Sequence, residues 1–85
     1  MEYRTGQLVR SIAGRDKGTE YLVIRAEGNY IYVADGKTRR LERLKKKKIK
    51  HVQGSYEISD EIVECLENGT LENHMIRRIL ARRSS

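Results

Sequence analysis

Two glycines four positions apart, Gly14 and Gly18, stand between two runs of apolar β-formers, and this pattern limits the fold more than any other in the chain. Leu8, Val9 and Ile12 precede the pair, and Leu22, Val23 and Ile24 follow it. Aliphatic and β-branched residues in short runs favour strands. Glycine takes a positive φ or a close backbone approach that other residues resist. Residues 6–18, G-Q-L-V-R-S-I-A-G-R-D-K-G, therefore predict a strand, a tight loop and the approach to a second strand. A loop held by the sheet on both sides presents Arg15 and Lys17 at a fixed place. The alternative is an ordinary hairpin with solvated charges.

The same punctuation continues. Strands are predicted over residues 7–12 and 20–26, and Gly28-Asn29 is a tight-turn signal. Tyr30-Ile31-Tyr32-Val33 is a dense β-former run, and Asp35-Gly36 after it predicts a two-residue hairpin. A fourth strand is expected over residues 37–41 and a fifth over residues 48–53. Five short strands with tight turns make the chain mainly β, a small and strongly bent antiparallel barrel. Closure removes the unpaired edges of an open sheet.

Past Gly54 the pattern becomes helical. Ser59 is a good N-cap, with Asp60 and Glu61 in the first turn where the helix dipole favours acids. Ile58, Ile62, Val63 and Leu66 recur at helical spacing, and Asn68-Gly69 ends the helix. Thr70 is a candidate cap for a second helix, with Leu71, Met75, Ile76, Ile79 and Leu80 on one apolar stripe. The last turn is basic, with Arg77, Arg78, Arg82 and Arg83. Neither helix is long enough to stand alone, so both must pack on the barrel, each other or a partner. The expected organisation is a barrel over residues 1–54 and an appendage of two short C-terminal α-helices over residues 55–85.

Size and charge narrow the function. A chain of 85 residues is one domain with a thin core, and without Trp or Phe that core rests on Ile, Leu and Val. No large pocket for a small-molecule substrate is expected. A single cysteine, Cys65, excludes an internal disulfide and fits a reducing compartment. The start Met1-Glu-Tyr-Arg has no signal-peptide pattern, and no apolar run nears 18 residues, so a soluble, cytoplasmic protein is expected. The net charge of +6 is unevenly spread. Residues 1–54 hold 14 basic and 6 acidic residues, a net +8, whereas residues 55–85 hold 4 and 6, a net −2. Clustered positive charge is the footprint of a nucleic-acid binder and is also compatible with an anionic membrane surface.

The densest charge lies in residues 37–50, K-T-R-R-L-E-R-L-K-K-K-K-I-K, with nine basic residues and one acid. Lys37, Arg39, Arg40, Arg43, Lys45, Lys46, Lys47, Lys48 and Lys50 are candidate phosphate contacts, with Arg15 and Lys17 beside them. Arginines grip phosphates in a bidentate way or stack on bases, and lysines act as point charges. Counterion release makes such binding salt-sensitive. The bland reading is a solvated lysine strip that aids solubility. Tyr30 and Tyr32 share one face of their strand. Facing out they form a base-stacking pair, and facing in they fill the core. Ile31 and Val33, on the opposite face, are the better core candidates. Tyr3, Tyr21 and Tyr56 are read as structural.

Catalysis and metal binding find little support. His51, Cys65 and His74 are far apart and lack metal-ligand spacing. Cys65, among apolar neighbours, is expected to be a buried thiol. Glu61 and Glu64 read as surface acids. No nucleophile triad, phosphate loop or dinucleotide fingerprint appears, so an enzyme, a cofactor or a metal is not expected.

Gly6, Val9, Gly14-Arg-Asp-Lys-Gly18, Leu22-Val-Ile24 and Tyr32-Val-Ala-Asp-Gly36 together resemble the KOW motif and the segment that follows it. Over residues 5–53 the chain is similar to KOW-domain RNA-binding proteins, among them the KOW-bearing large-subunit ribosomal proteins of archaea and eukaryotes. The resemblance implies an SH3-like barrel and RNA contact through the loop at residues 14–18, carried here by Arg15 and Lys17. The elongation-factor form of the motif has another glycine where this chain has Tyr21, which favours the ribosomal branch. The leading expectation is a non-enzymatic, ribosome-associated binder of ribosomal or other structured RNA, acting in translation. Residues 55–85 are open to contact with the ribosome or other proteins. The alternative is a protein-interaction adaptor that uses the barrel and the apolar stripe of the second helix. Peripheral membrane attachment has only the lysine run in its favour.

Overall fold

The computed structural model describes residues 2–84; the side chains of Tyr56, Arg83 and Ser84 lie outside the described part. Five antiparallel strands form one curled, half-barrel sheet, followed by two helices. The strands are β1 (Gln7–Ser11), β2 (Glu20–Glu27), β3 (Tyr30–Ala34), β4 (Lys45–Lys48) and β5 (Val52–Ile58). The helices are α1 (Asp60–Asn68) and α2 (Asn73–Ser84). The sheet order is β4-β3-β2-β1-β5, so consecutive strands pair as a meander and β5 returns to the free side of β1.

The expected mainly β fold is present, but its second half is shifted along the sequence. Asp35-Gly36 does not close a two-residue hairpin. Asp35 Oδ1 accepts the Lys37 and Arg39 N–H groups at 2.9 and 2.8 Å, which folds residues 35–40 into a broader loop. A 3-10 turn at Leu41–Arg43 follows it. The fourth strand is therefore the four-lysine run itself, Lys45–Lys48, and not residues 37–41. A second 3-10 turn, Ile49–His51, delays the fifth strand to Val52–Ile58. Asx-type bonding competes with strand pairing, and here it won.

Each face of the sheet carries a buried apolar cluster. Val9, Tyr21, Val23, Ile31, Val33 and Val52 pack on its concave inner side. Leu8, Leu22 and Ala34 on the outer side pack against Ile62 of α1 and Ile76 and Leu80 of α2. This explains the unbroken apolar run Tyr21-Leu-Val-Ile24, because a strand buried on both sides cannot alternate. The expected boundary at residue 54 falls within the sheet. Gly54 lies inside β5, opposite Val9, and the helices share a core with the sheet. The apolar stripe on which the adaptor reading rests is the face that α2 turns to the sheet, with Ile76 fully buried and Leu80 nearly so.

The helix ends follow the expected chemistry in part. Ser59 Oγ accepts the Ile62 N–H, and Gly69 takes the left-handed conformation at φ 70° with its N–H on the Cys65 and Leu66 carbonyls. Thr70 does not cap α2, since its hydroxyl donates to the Cys65 carbonyl and the helix begins three residues later. Cys65 is half-buried, not a sealed core thiol. Among the described residues no helix is long and apolar enough to cross a membrane.

Candidate functional site

The loop between β1 and β2 is built around one inward-turned carboxylate. Gly18 N–H donates to the Ser11 carbonyl at 2.8 Å, Ser11 N–H to Thr19 at 2.9 Å and Thr19 N–H to Asp16 at 2.9 Å. These bonds knot residues 11–19 into a compact turn. Gly14 and Gly18 have φ of 88° and 93°, and at Gly18 a Cβ would meet nothing within 4 Å, so it is the backbone conformation, not crowding, that selects glycine there.

Within the turn Asp16 points into the sheet while Arg15 and Lys17 on either side are exposed. The Asp16 side chain is 13% exposed and meets Lys47 Nζ at 2.9 Å (Oδ1) and 3.2 Å (Oδ2), and Lys45 Nζ at 3.2 Å. The Tyr21 hydroxyl donates to Oδ2 at 2.8 Å, and Ser11 Oγ lies 2.8 Å from Oδ1. Lys47 Nζ also donates to Ser11 Oγ at 3.0 Å, so its buried charge is both paired and hydrogen-bonded. Burial pushes the Asp16 carboxyl upward, but the hydrogen bonds from Lys47, Tyr21, Ser11 and Lys45 outweigh that and hold it well below the usual carboxylate range. Burial, with the bond to Asp16 behind it, pushes the Tyr21 hydroxyl above its ordinary value. The link from Asp16 to β4 ties the β1–β2 loop across the open side of the half-barrel.

A second basic loop lies at the same end of the sheet. Residues 35–44 leave β3 and enter β4 where residues 12–19 join β1 to β2. Gly18, Thr19 and Glu20 from one loop region and Asp35 and Lys37 from the other line one groove, with Arg77 and Leu80 of α2. The 35–44 loop is held by α2. Arg77 donates to the Gly36 carbonyl at 2.7 Å, Asn73 Oδ1 accepts the Leu41 N–H at 2.8 Å, and Asn73 Nδ2 donates to Glu42 at 2.8 Å. Gly36, at φ 79°, sits so close to the helix that a Cβ would meet the Asn73 carbonyl oxygen at 2.5 Å. Lys37, Arg40 and Arg43 are exposed on this loop and Arg39 is half-buried.

The lysine run is not one strip. Strand periodicity sends Lys45 and Lys47 inward to Asp16 and leaves Lys46 and Lys48 exposed. Lys47, only 8% exposed, is withdrawn from the expected phosphate contacts, and Lys45 is held by the same carboxylate. Lys48 and Lys50 lie at the opposite end from the two loops, beside Asn29 and Tyr30. The tyrosine pair faces out. Tyr30 and Tyr32 are half-exposed, while Ile31 and Val33 are fully buried in the inner cluster. Lys46 Nζ stands 4.2 Å from the centre of the Tyr30 ring, and the Arg25 guanidinium 4.2 Å from that of Tyr32.

Two residues at these surfaces escaped the sequence reading. No local signal singles out Arg25, although Tyr32 is its cross-strand neighbour once β2 and β3 are in register. Asp16 stands between Arg15 and Lys17 in the sequence, and no local signal marks it as the inward one. No protein-family model matches the chain, and no match is found among curated proteins.

Proposed function

We propose that this chain is an RNA-binding protein that grips the phosphate backbone with the two loops at one end of its half-barrel. The observation that carries this reading is the orientation of charge in those loops. Their acids are turned to hold the loops themselves: Asp16 on Lys47, Asp35 on backbone N–H groups, Glu42 on Asn73. Their cations Arg15, Lys17, Lys37, Arg40 and Arg43 are left at the surface. A rigid loop with its basic side chains outward offers phosphate oxygens donors whose positions are set beforehand, which lowers the ordering cost of binding. The KOW-like spacing of residues 6–18, with Tyr32-Val-Ala-Asp-Gly36 behind it, supports the same reading. It favours ribosomal or other structured RNA as the partner and a ribosome-associated role in translation.

Filter binding of ribosomal RNA and of ribosomes at low salt, repeated over a salt series, tests it. The expected result is an affinity that falls steeply with salt. Arg15→Ala with Lys17→Ala should weaken binding more than Arg78→Ala with Arg82→Ala, although both remove two charges. No affinity at low salt sinks the proposal, and equal losses replace positioned loops with diffuse attraction.

A further inference from the structure

On the outer sheet face, α1 and α2 cover Leu8, Leu22 and Ala34 but leave the far end of β3 open, with Tyr30 and Tyr32 half-exposed on it. The antiparallel register sets two rows across this bare end, Arg25–Tyr32–Lys46 and Glu27–Tyr30–Lys48. Partners directly opposite one another point to the same side of a sheet, so two aromatic rings and three cations share the surface with one acid. Glu27 is engaged with Arg25 at 3.0 Å, both side chains more than half exposed, and an exposed pair of this kind is weak. The surface lies on a different part of the molecule from the two basic loops.

We infer that this face is a separate subsite for unpaired RNA bases, with Tyr30 and Tyr32 as stacking platforms and Arg25, Lys46 and Lys48 as contacts to the phosphates of the same nucleotides. The inference rests on the RNA-binding reading and adds the kind of RNA. Three physical points select single strands. First, Tyr30 and Tyr32 are two residues apart on one strand, about 6.8 Å, whereas stacked bases repeat every 3.4 Å or so. The rings therefore match bases pulled apart from each other and not a continuous stack. Second, bases in an A-form duplex keep their π-faces buried in the stack, so only unpaired residues can offer one. Third, each ring now carries a cation. An exposed cation–π contact is worth about 2- to 5-fold in an equilibrium constant. A base stacked on an aromatic ring is worth about 5- to 150-fold. A base can thus displace Lys46 from Tyr30 or Arg25 from Tyr32, and the released cation meets the incoming phosphate. The preferred ligand is a structured RNA whose paired part meets the loops and whose flanking unpaired part crosses this face.

The test measures binding of the full chain to two probes with equal numbers of phosphates: an unstructured, uridine-rich RNA oligonucleotide and a blunt-ended RNA duplex. Tyr30→Leu with Tyr32→Leu should weaken binding to the single strand by about 10-fold or more and alter duplex binding by less than about 2-fold. Tyr30→Phe with Tyr32→Phe should keep both affinities. In the unaltered chain, which has no Trp, tyrosine emission should be quenched by the single strand and not by the duplex. Equal losses on both probes, no loss on the single strand, or loss in the Phe pair overturns the inference and leaves the loops as RNA contacts. Displacement of the single strand by polyglutamate of equal charge as readily as by RNA also overturns it, in favour of an acidic polypeptide as occupant. If the unaltered chain binds neither probe at low salt, the RNA-binding reading falls and this inference falls with it.

Discussion

Lys45 and Lys47 are chemically the same as Lys46 and Lys48 and alternate with them along four consecutive positions, yet the two pairs do opposite things. The inner pair closes on Asp16 and fastens the β1–β2 loop to an edge strand 31 residues away. The outer pair remains exposed, with Lys46 over the Tyr30 ring. The difference shows that the charge of a basic run is not a measure of what it offers a partner. Strand geometry divides the run, and only half of it faces outward. The inner half also guards the sheet, because inward charges and edge lysines are devices that keep an edge strand from pairing with another chain.

The hardest blow to this contrast is on the inner side. Asp16→Ala leaves Lys47 buried beside Ser11 without a counter-charge. Breaking a buried pair in this way costs about 3–5 kcal/mol, a large part of the stability of a small domain. Urea unfolding should show a loss in that range, and Asp16→Ala with Lys47→Met should recover much of it because both charges are gone. If Asp16→Ala unfolds at the same urea concentration as the parent chain, the carboxylate is not the anchor of the loop.

Acid should separate the two faces next. The folded carboxyl of Asp16 sits below its unfolded value, so the stability it contributes is fully present above the ordinary aspartate value near pH 4. That contribution is lost progressively as pH falls below about 4, when the unfolded chain takes up the proton first. Urea midpoints followed downward from neutral pH should fall more steeply for the parent chain than for Asp16→Asn, which has no proton to gain there. Parallel curves would remove the linkage.

The smallest effect on stability belongs to the outer side. Lys46→Ala with Lys48→Ala should shift the unfolding free energy by less than about 0.5 kcal/mol per site. It should nevertheless lower the slope of log affinity for RNA against log salt by about two, one for each phosphate contact removed. An unchanged slope would make these lysines guards of the strand edge and nothing more.

Much of the local structure was legible in the chain. Ser59 and Gly69 mark the ends of α1 because capping chemistry is local. The alternation of Tyr30 and Tyr32 with Ile31 and Val33 puts the two pairs on opposite faces of β3, because the period of a strand is two, and the fold buries the second pair. The 35–44 loop was harder to read. Asp-Gly is a hairpin signal, and the choice against it depends on Asp35 bonding its own backbone and on α2 holding Gly36 and Leu41 from a distant part of the chain.

By itself the sequence determined a β-rich first part, a helical second part, the placing of Tyr30 and Tyr32 on one face of their strand and the concentration of positive charge before residue 54. Each follows from short-range preferences or from counting. The tertiary structure alone decided where β4 begins, which lysines turn inward, that the helices complete the core, and that the Gly14–Gly18 turn hangs on Asp16. Those outcomes depend on partners far apart in sequence, and the face on which a side chain emerges has no meaning until the limits and register of its strand are set.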